Sequence, residues 1–385
     1  MKEYKRLGDY IREVNVRNRD LKVTRLLGLS IEKQFIPSIA NTIGTDMAGY
    51  KVVRRRQFAY VPVTSRNGEK ITVALLEDCD EAIISQAYTV FEVVDCEKLL
   101  PEYLMMWFRR PEFDRYARFH SHGSAREVFD WDELCDVQLP VPSIERQREI
   151  VSEYETLTRR IRLNEQMIEK LEATAQALYR HTFVDNIDKQ NLPDDWRMGT
   201  IGEVVESYSK THEFNKNELI FLNTSDVLDG KIILHDYSKI ETMPGQAKKE
   251  IANGDILFSE IRPANKRYAL VREDHPEDYV VSTKLMVLRT KKNIYEYDNL
   301  KIYFYLTLPD VLDDLQKQAE GSSGTFPQIT FDGNIREREV IIADEMTEKR
   351  WSNILSVYYK YKWEKEQENE QLTKLQSLLL AKMGR

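Results

Sequence analysis

Cysteine is scarce, with Cys79, Cys96 and Cys135 the only three in 385 residues. An odd number with no Cys-x-x-Cys spacing encodes neither a disulfide framework nor a thiolate zinc site, so all three read as reduced thiols. No apolar run nears the roughly 18 residues of a membrane span. The opening Met1-Lys-Glu-Tyr-Lys-Arg is polar where a secretory signal needs an apolar core. A cytoplasmic protein is expected. The glycine-rich cradles of nucleotide phosphates, Gly-x-x-x-x-Gly-Lys-Ser/Thr and Gly-x-Gly-x-x-Gly, are also missing. The one Glu-x-Lys, Glu3-Tyr4-Lys5, leaves no room upstream for the second acid of a metal-dependent nuclease. His120 and His122 are spaced as on a strand, without a third ligand nearby, and read as loop histidines rather than a metal pair. Neither a catalytic set nor a metal site is therefore expected, and a binding protein is favoured over an enzyme.

A basic excess is lacking as well. The net charge of -8 argues mildly against a polyanionic ligand. The total hides a division, because residues 1–70 carry fifteen Lys and Arg against seven Asp and Glu, whereas residues 71–142 carry six against fifteen. A basic face can coexist with an acidic whole.

What the chain has is an ordinary soluble composition, 42% hydrophobic and 31% charged, at a length suited to two or three domains. It also repeats itself with a period of about 200 residues. Ser85-Gln-Ala-Tyr-Thr-Val-Phe aligns with Ser282-Thr-Lys-Leu-Met-Val-Leu, both with strand-like alternation. Leu99-Leu-Pro-Glu-Tyr-Leu answers to Leu300-Lys-Ile-Tyr-Phe-Tyr-Leu, each opening a helix. Gly123-Ser124 and Phe129-Asp130 match Gly321-Ser322 and Phe331-Asp332, and Asn164-Glu-Gln matches Asn369-Glu-Gln. The common order predicts a duplicated α+β unit, a pseudo-two-fold internal repeat.

Each unit reads as a globular part followed by a long helix. The boundaries are 1–142 for the first globular domain, 143–184 for the central helix, 185–192 for a linker, 193–345 for the second domain and 346–385 for the distal helix. Along the central helix Ile150, Tyr154, Leu157, Ile161, Asn164, Ile168, Leu171, Ala175 and Leu178 alternate by four and three, a coiled-coil seam with an Asn in it. The distal helix offers Ile354, Tyr358, Tyr361, Leu372, Leu375 and Leu379, with polar residues mid-seam. Paired as an antiparallel coiled coil, two helices of about 40 residues would give a spacer of roughly 60 Å at 1.5 Å per residue. Two similar heads on a rigid spacer suit a ligand with two separated sites, and duplex DNA supplies such sites one turn apart.

The binding candidates lie in loops. Arg54-Arg55-Arg56 could clamp phosphates or read guanine edges, although a solvated charge run is an equal reading. Ile261-Arg262-Pro263-Ala264-Asn265-Lys266-Arg267 places three cations and an amide on a proline-stiffened loop. Lys248 and Lys249 add cations nearby. The Gly-Ser loops contribute His122, Ser124 and Arg126 in the first unit and Ser322, Ser323 and Thr325 in the second.

Asn253-Gly-Asp-Ile-Leu-Phe-Ser-Glu-Ile-Arg-Pro-Ala-Asn-Lys-Arg, Gly321-Ser-Ser-Gly-Thr-Phe-Pro-Gln-Ile, Leu139-Pro-Val-Pro-Ser-Ile-Glu-Arg-Gln-Arg-Glu-Ile-Val and Leu192-Pro-Asp-Asp-Trp-Arg together resemble the specificity subunit of type I restriction-modification systems. Two places depart from that pattern: Ile341-Ile-Ala-Asp-Glu-Met stands where a proline-rich helix start belongs, and the first unit lacks a Pro-x-x-Trp opening. The resemblance implies two target recognition domains, each reading half of a bipartite double-stranded DNA target, and helices that dock two methyltransferase subunits. It further implies no catalytic site in this chain. The methyltransferase subunits would use S-adenosylmethionine, and translocating nuclease subunits would use ATP with magnesium. The competing readings are a coiled-coil adaptor whose duplicated heads bind proteins, and a specificity subunit of another multisubunit methyltransferase-nuclease. A self-contained modification enzyme would need an Asn-Pro-Pro-Tyr-like tetrad, and none is present.

The spacer reading is testable. Seven residues inserted into both long helices at matched heights should preserve pairing and lengthen the spacer by about 10 Å, or about three base pairs. Methylome mapping should then find unchanged half-sites with a wider gap or no methylation; intact methylation at the original gap would exclude the helices as its determinant. For Asn164→Leu the seam pattern alone predicts a more stable helix pair with a looser register.

Overall fold

The computed structural model describes residues 4–38, 44–64, 70–123, 127–185, 187–291, 298–321 and 328–384. They fall into two compact units, Met1–Glu165 with Glu366–Arg385, and Gln166–Lys365. In the first, strands β1 (Tyr4–Arg6), β2 (Ile11–Val14), β3 (Lys51–Arg54), β4 (Phe58–Tyr60), β5 (Val73–Leu75), β6 (Glu81–Ile84) and β7 (Thr89–Val93) precede helices α1 (Pro101–Phe108) and α2 (Pro111–Phe119). Strand β8 (Gln138–Pro140) then leads into α3 (Ile144–Phe183), whose first half belongs to this unit. The order β2-β7-β4-β5 makes an antiparallel sheet, β3 pairs with β6, and β8 returns to β1. Successive strand side chains point to opposite faces. Phe58, Tyr60 and Phe91 therefore enter a core with Leu104, Phe108 and Phe113 of the helices, while Ala59 and Val90 enter another with Val53 and Ile84. Pro101 and Pro111 open their helices where the missing N–H costs nothing.

The second unit contains β9 (Arg197–Thr200), β10 (Val205–Ser207), β11 (Ala247–Glu250), β12 (Ile256–Ser259), β13 (Tyr268–Leu270), β14 (Tyr279–Ser282) and β15 (Leu285–Thr290). Helices α4 (Asp298–Thr307) and α5 (Pro309–Glu320), strand β16 (Glu339–Ile342) and the long helix α6 (Glu345–Met383) follow. The sheet β10-β15-β12-β13, the pair β11 with β14 and the pair β9 with β16 match the sheet and pairs of the first unit, and β14 here also pairs in parallel with residues 220–222. Ile256, Phe258, Met286 and Leu288 face the helices, and Leu257 and Val287 face the other core. The runs 85–91 and 282–288, expected as continuous strands, are each interrupted by a turn, because the residues on either side belong to different sheets. One lysine ties each turn: Lys51 Nζ donates to the Tyr88 carbonyl at 2.7 Å, and Lys249 Nζ to those of Leu285 and Thr283 at 2.9 and 3.2 Å. Lys249, counted above as a DNA contact, is thus committed to its own fold, and burial lowers its pKa.

The long helices begin alike despite their different sequences. The Ser143 hydroxyl accepts from Arg146 N–H, and Asp344 accepts from the Thr347 N–H and hydroxyl. These bonds and the Trp196 indole hold the Asp344 carboxyl at about 2. Ala343-Asp344 therefore does the work expected of a proline-rich start. Among the described residues no helix is long and apolar enough to cross a membrane.

Within each unit the two helices run antiparallel. In the first, Asn164 Nδ2 donates to Asn369 Oδ1 at 2.9 Å, Arg160 pairs with Glu368 at 2.5 Å, and Gln376 donates to Thr158 Oγ1 at 2.7 Å. In the second, Lys362 faces Glu172 at 3.4 Å, and Trp351 lies 5.8 Å from Tyr179 and 5.4 Å from Phe183. Every seam position named for the central helix, from Ile150 to Leu178, is buried or half-buried. The distal seam differs from expectation. Ile354, Tyr361 and Leu375 are exposed, Tyr358, Leu372 and Leu379 are half-buried, and Ser352, Leu355, Tyr359, Lys362, Asn369, Gln376, Leu380 and Met383 turn inward. This seam includes Lys362, Asn369 and Gln376 because the central helix supplies Glu172, Asn164 and Thr158 as partners for them.

That pairing overturns the expectation for Asn164. The residue is 2% exposed, so Asn164→Leu strands the Asn369 carbonyl acceptor and should destabilise the fold by about 1–3 kcal/mol. Adding Asn369→Leu removes both polar partners and should recover most of the loss. Denaturant unfolding of the single and double variants tests this, and a more stable single variant would refute it.

Candidate nucleic-acid interface

In the second unit the loop 260–267 joins β12 to β13. Arg262 and Lys266 both adopt left-handed backbone, φ 49° and 53°, on either side of a short turn at Pro263–Asn265. For residues with a Cβ this costs about 1–2 kcal/mol each, so the surroundings must hold it. They do. Ala264 N–H donates to the Gln316 side chain of α5 at 3.1 Å, Ile329 N–H to the Glu260 carbonyl at 2.8 Å, and Asp229 N–H to the Lys266 carbonyl at 2.8 Å. Arg267 donates to the Ser225 carbonyl at 2.8 Å, and Lys266 Nζ lies 3.6 Å from Asp229. Arg262 and Asn265 are exposed, and among the described residues their side chains have no hydrogen-bond or ion-pair partner. The loop thus presents one guanidinium and one amide on a braced backbone.

A bridge between Ile261 and Gln328 stitches this loop to the segment following Gly321. The first unit makes the same junction: Thr64 N–H donates to the Glu127 carbonyl, Phe129 N–H to that of Pro62, both at 2.9 Å, and Val63 bridges Val128. In each unit the loop after the central strand therefore meets the chain flanking the Gly-Ser segment at one end of the sheet. Ser124, Arg126, Ser322, Ser323 and Thr325 lie outside the described residues. His122 lies at the junction, bridged to Val128, with Nε2 3.4 Å from Glu133, whose carboxylate also holds His120 Nδ1 at 2.9 Å. Among the described residues no cluster of His, Cys, Asp or Glu could hold a metal ion.

Arg54, Arg55 and Arg56 are not brought to this place. They precede β4 as Ala252, Asn253 and Gly254 precede β12, and Arg56 (φ 65°) matches Gly254 (φ 91°) in left-handed backbone. The triplet therefore sits at the other end of the strand from the loop. Its cations also have local partners, Arg55 with Asp80 at 3.0 Å, Arg56 with Glu102 at 3.1 Å and Arg54 with Glu81 at 3.9 Å. The solvated charge run is the reading that fits. The true counterpart of 260–267 is the stretch 61–72, which sequence reasoning missed; the repeat offset, applied to the strands rather than to the charges, finds it. Lys248 is exposed on β11.

The family model for type I restriction modification DNA specificity domains matches residues 57–173 and 193–374, one match in each repeat. A curated relative, the HindI specificity subunit of a type I restriction enzyme from Haemophilus influenzae, is 39% identical over 163 residues. That match covers 42% of this chain and 35% of the relative, so the chain spans about a third of that protein's length. The crystal structure of a type I restriction-modification S subunit from M. genitalium superposes with a TM-score of 0.59 at 13% identity, covering 100% of this chain and 96% of that one, a likeness of fold. With two family matches spread over most of its length, the chain belongs to the family of type I restriction modification DNA specificity domains.

Proposed function

We propose that this chain is the non-catalytic, sequence-reading subunit of a type I restriction-modification complex, each unit reading one half of a bipartite double-stranded DNA target. The observation that carries the reading is the duplicated loop junction, in which the second unit offers Arg262 and Asn265 on a backbone held in a strained shape. Such a braced cation and amide suit phosphate positioning and base-edge contacts. Two methyltransferase subunits, and nuclease subunits where present, are the proposed protein partners, with S-adenosylmethionine and ATP with magnesium bound by them and not by this chain. The outward stripes of α6 support that docking: Ile354, Val357 and Tyr361 are exposed in the second unit, Leu375 and Leu378 in the first. A cytoplasmic location follows from such a role.

Binding of a target duplex across a salt series tests the loop. Arg262→Ala should flatten the slope of log K against log salt by about one unit if it meets a phosphate, or cost about 1–3 kcal/mol of discrimination if it meets a base. Substituting Arg54, Arg55 and Arg56 should leave affinity nearly unchanged. Equal losses at both places would mean that general charge, and not the braced loop, carries binding.

The absence of chemistry is tested with the purified chain. Alone, with S-adenosylmethionine or with ATP and magnesium, it should neither methylate nor cleave DNA, and it should confer site-specific methylation once mixed with its methyltransferase subunit. Methyl transfer by the isolated chain would refute the reading.

A further inference from the structure

We propose that the hairpin Val227–Ile232 is the positioning element of loop 260–267, and that Asp229 and Gly230 at its tip fix which bases that loop can meet. The proposal rests on the DNA-reading role given above and assigns part of it to residues that need not touch DNA. Strands Val227–Leu228 and Lys231–Ile232 are joined by a two-residue turn in which Asp229 and Gly230 both have left-handed backbone, φ 45° and 88°. Such a turn matches the twist of a hairpin.

One side of the tip is bonded to the trailing end of the loop. Asp229 N–H donates to the Lys266 carbonyl at 2.8 Å, Gly230 N–H to that of Tyr268 at 3.0 Å, and the Tyr268 hydroxyl returns a bond to the Asp229 carboxylate at 2.8 Å. Arg267 reaches the Ser225 and Val227 carbonyls at 2.8 and 3.3 Å, where the chain leads into the tip. The left-handed backbone of Lys266 is unfavourable for a residue with a Cβ, and it is held at the carbonyl and again at the ammonium, 3.6 Å from Asp229. The other side of the tip rests on helices. A Cβ on Gly230 would stand 2.6 Å from the Tyr303 hydroxyl of α4, 3.5 Å from Lys362 Nζ of α6 and 3.7 Å from Glu172 Oε1 of α3, so glycine serves the close approach as well as the φ. Lys362 and Glu172 are themselves paired at 3.4 Å. Through the hairpin, the loop takes its place from the helices and not from the sheet alone.

The first unit has a hairpin at the same point of the chain. There Leu26 bridges Ile83 in parallel, as residues 220–222 pair in parallel with 279–281, and a hairpin of Leu27–Leu29 with Phe35–Pro37 follows. Its turn residue Lys33 is again left-handed, φ 62°, and only 6% exposed. Lys33 Nζ donates to the Phe108 carbonyl at the end of α1 and to Asp114 of α2 at 2.7 Å. Asp114 also accepts the Ile71 N–H at 3.1 Å, where the stretch 61–72 returns to the sheet. A hairpin tip that ties the returning end of the loop to the helices is therefore present in both units, built from different side chains.

The test measures binding of the full-length chain to three duplexes: the target found by methylome mapping, and that target with one half or the other scrambled. Asp229→Gly keeps the left-handed turn and deletes the carboxylate. It should lower discrimination at one half-site about tenfold, leave the other half-site unchanged, and steepen the salt dependence because Lys266 is released. Asp229→Asn retains an acceptor for Tyr268 and tolerates left-handed backbone, so it should preserve discrimination. Gly230→Ala should act like Asp229→Gly, and Tyr303→Phe, which removes the obstructing hydroxyl, should restore part of the loss when combined with it. Discrimination unchanged by Asp229→Gly and Gly230→Ala, in a chain where Arg262→Ala lowers it, would overturn the proposal while DNA reading stands. Equal losses at both half-sites with a lowered thermal transition would overturn it too, since the hairpin would then be a general support of the fold. A chain that discriminates none of the three duplexes would remove the DNA-reading role itself, and this proposal with it.

Discussion

Each unit depends on one central strand, β4 or β12, buried on both faces. Consecutive residues of that strand enter different cores, Phe58 and Tyr60 one and Ala59 the other, Ile256 and Phe258 one and Leu257 the other. Sliding the strand by one residue would put every side chain on the wrong face, so register is strongly specified. Because both faces are covered, only the strand ends are open to solvent. The leading end is closed by a tight turn through Arg56 or Gly254. The trailing end carries the loop junction, where the proposed binding function is placed.

The two copies keep this frame while exchanging the chemistry that braces it. On the sheet edge Arg12 lies opposite Glu92, and in the second unit Glu206 lies opposite Arg289. Glu92 also takes a hydrogen bond from Gln57 at 2.7 Å; its counterpart Arg289 instead clasps buried Asp255 through two bonds of 2.7 Å and stacks on Tyr208. At the helix starts, Gln147 satisfies three backbone groups, of Leu100, Lys98 and Pro142, whereas Glu348 pairs with Lys301 and accepts from Ala343 N–H. A buried polar group must be satisfied, but the sign of its partner is free to change when both change together. Position is retained and polarity is not.

This explains what the sequence made legible. The repeat, the long helices and the seam of α3 could be read because apolar periodicity and turn residues follow directly from burial. The distal seam could not. Lys362, Asn369 and Gln376 look like outer-face residues until Glu172, Asn164 and Thr158 are known to stand opposite. Ile354, Tyr361 and Leu375 look like a seam and are exposed. Charge was a similarly poor guide to the site. Arg54, Arg55 and Arg56 form the densest cationic run, yet Asp80, Glu81 and Glu102 converge on it from distant parts of the chain. Loop 260–267 stood out because its proline and cations are adjacent, whereas in its counterpart after β4 Pro62, Arg66 and Lys70 are spread over 61–72 and a denser cationic run lies just upstream.

The braces on loop 260–267 also separate recognition from stability. Its contacts to Gln316, Ser225, Asp229 and Ile329 are mostly to its backbone or to the Arg267 guanidinium, and they hold whichever residue stands at 262 or 265. The side chains that face outward touch neither core. A substitution at Arg262 therefore alters what the loop can contact while costing the fold little, and glycine there would even relieve the left-handed strain. A change at Arg267 or Lys249, by contrast, releases a carbonyl that the fold uses. Arg267 and Lys249 are thus committed to the fold while Arg262 is not, and the hydrogen-bond partner of each side chain, more than its charge, divides them.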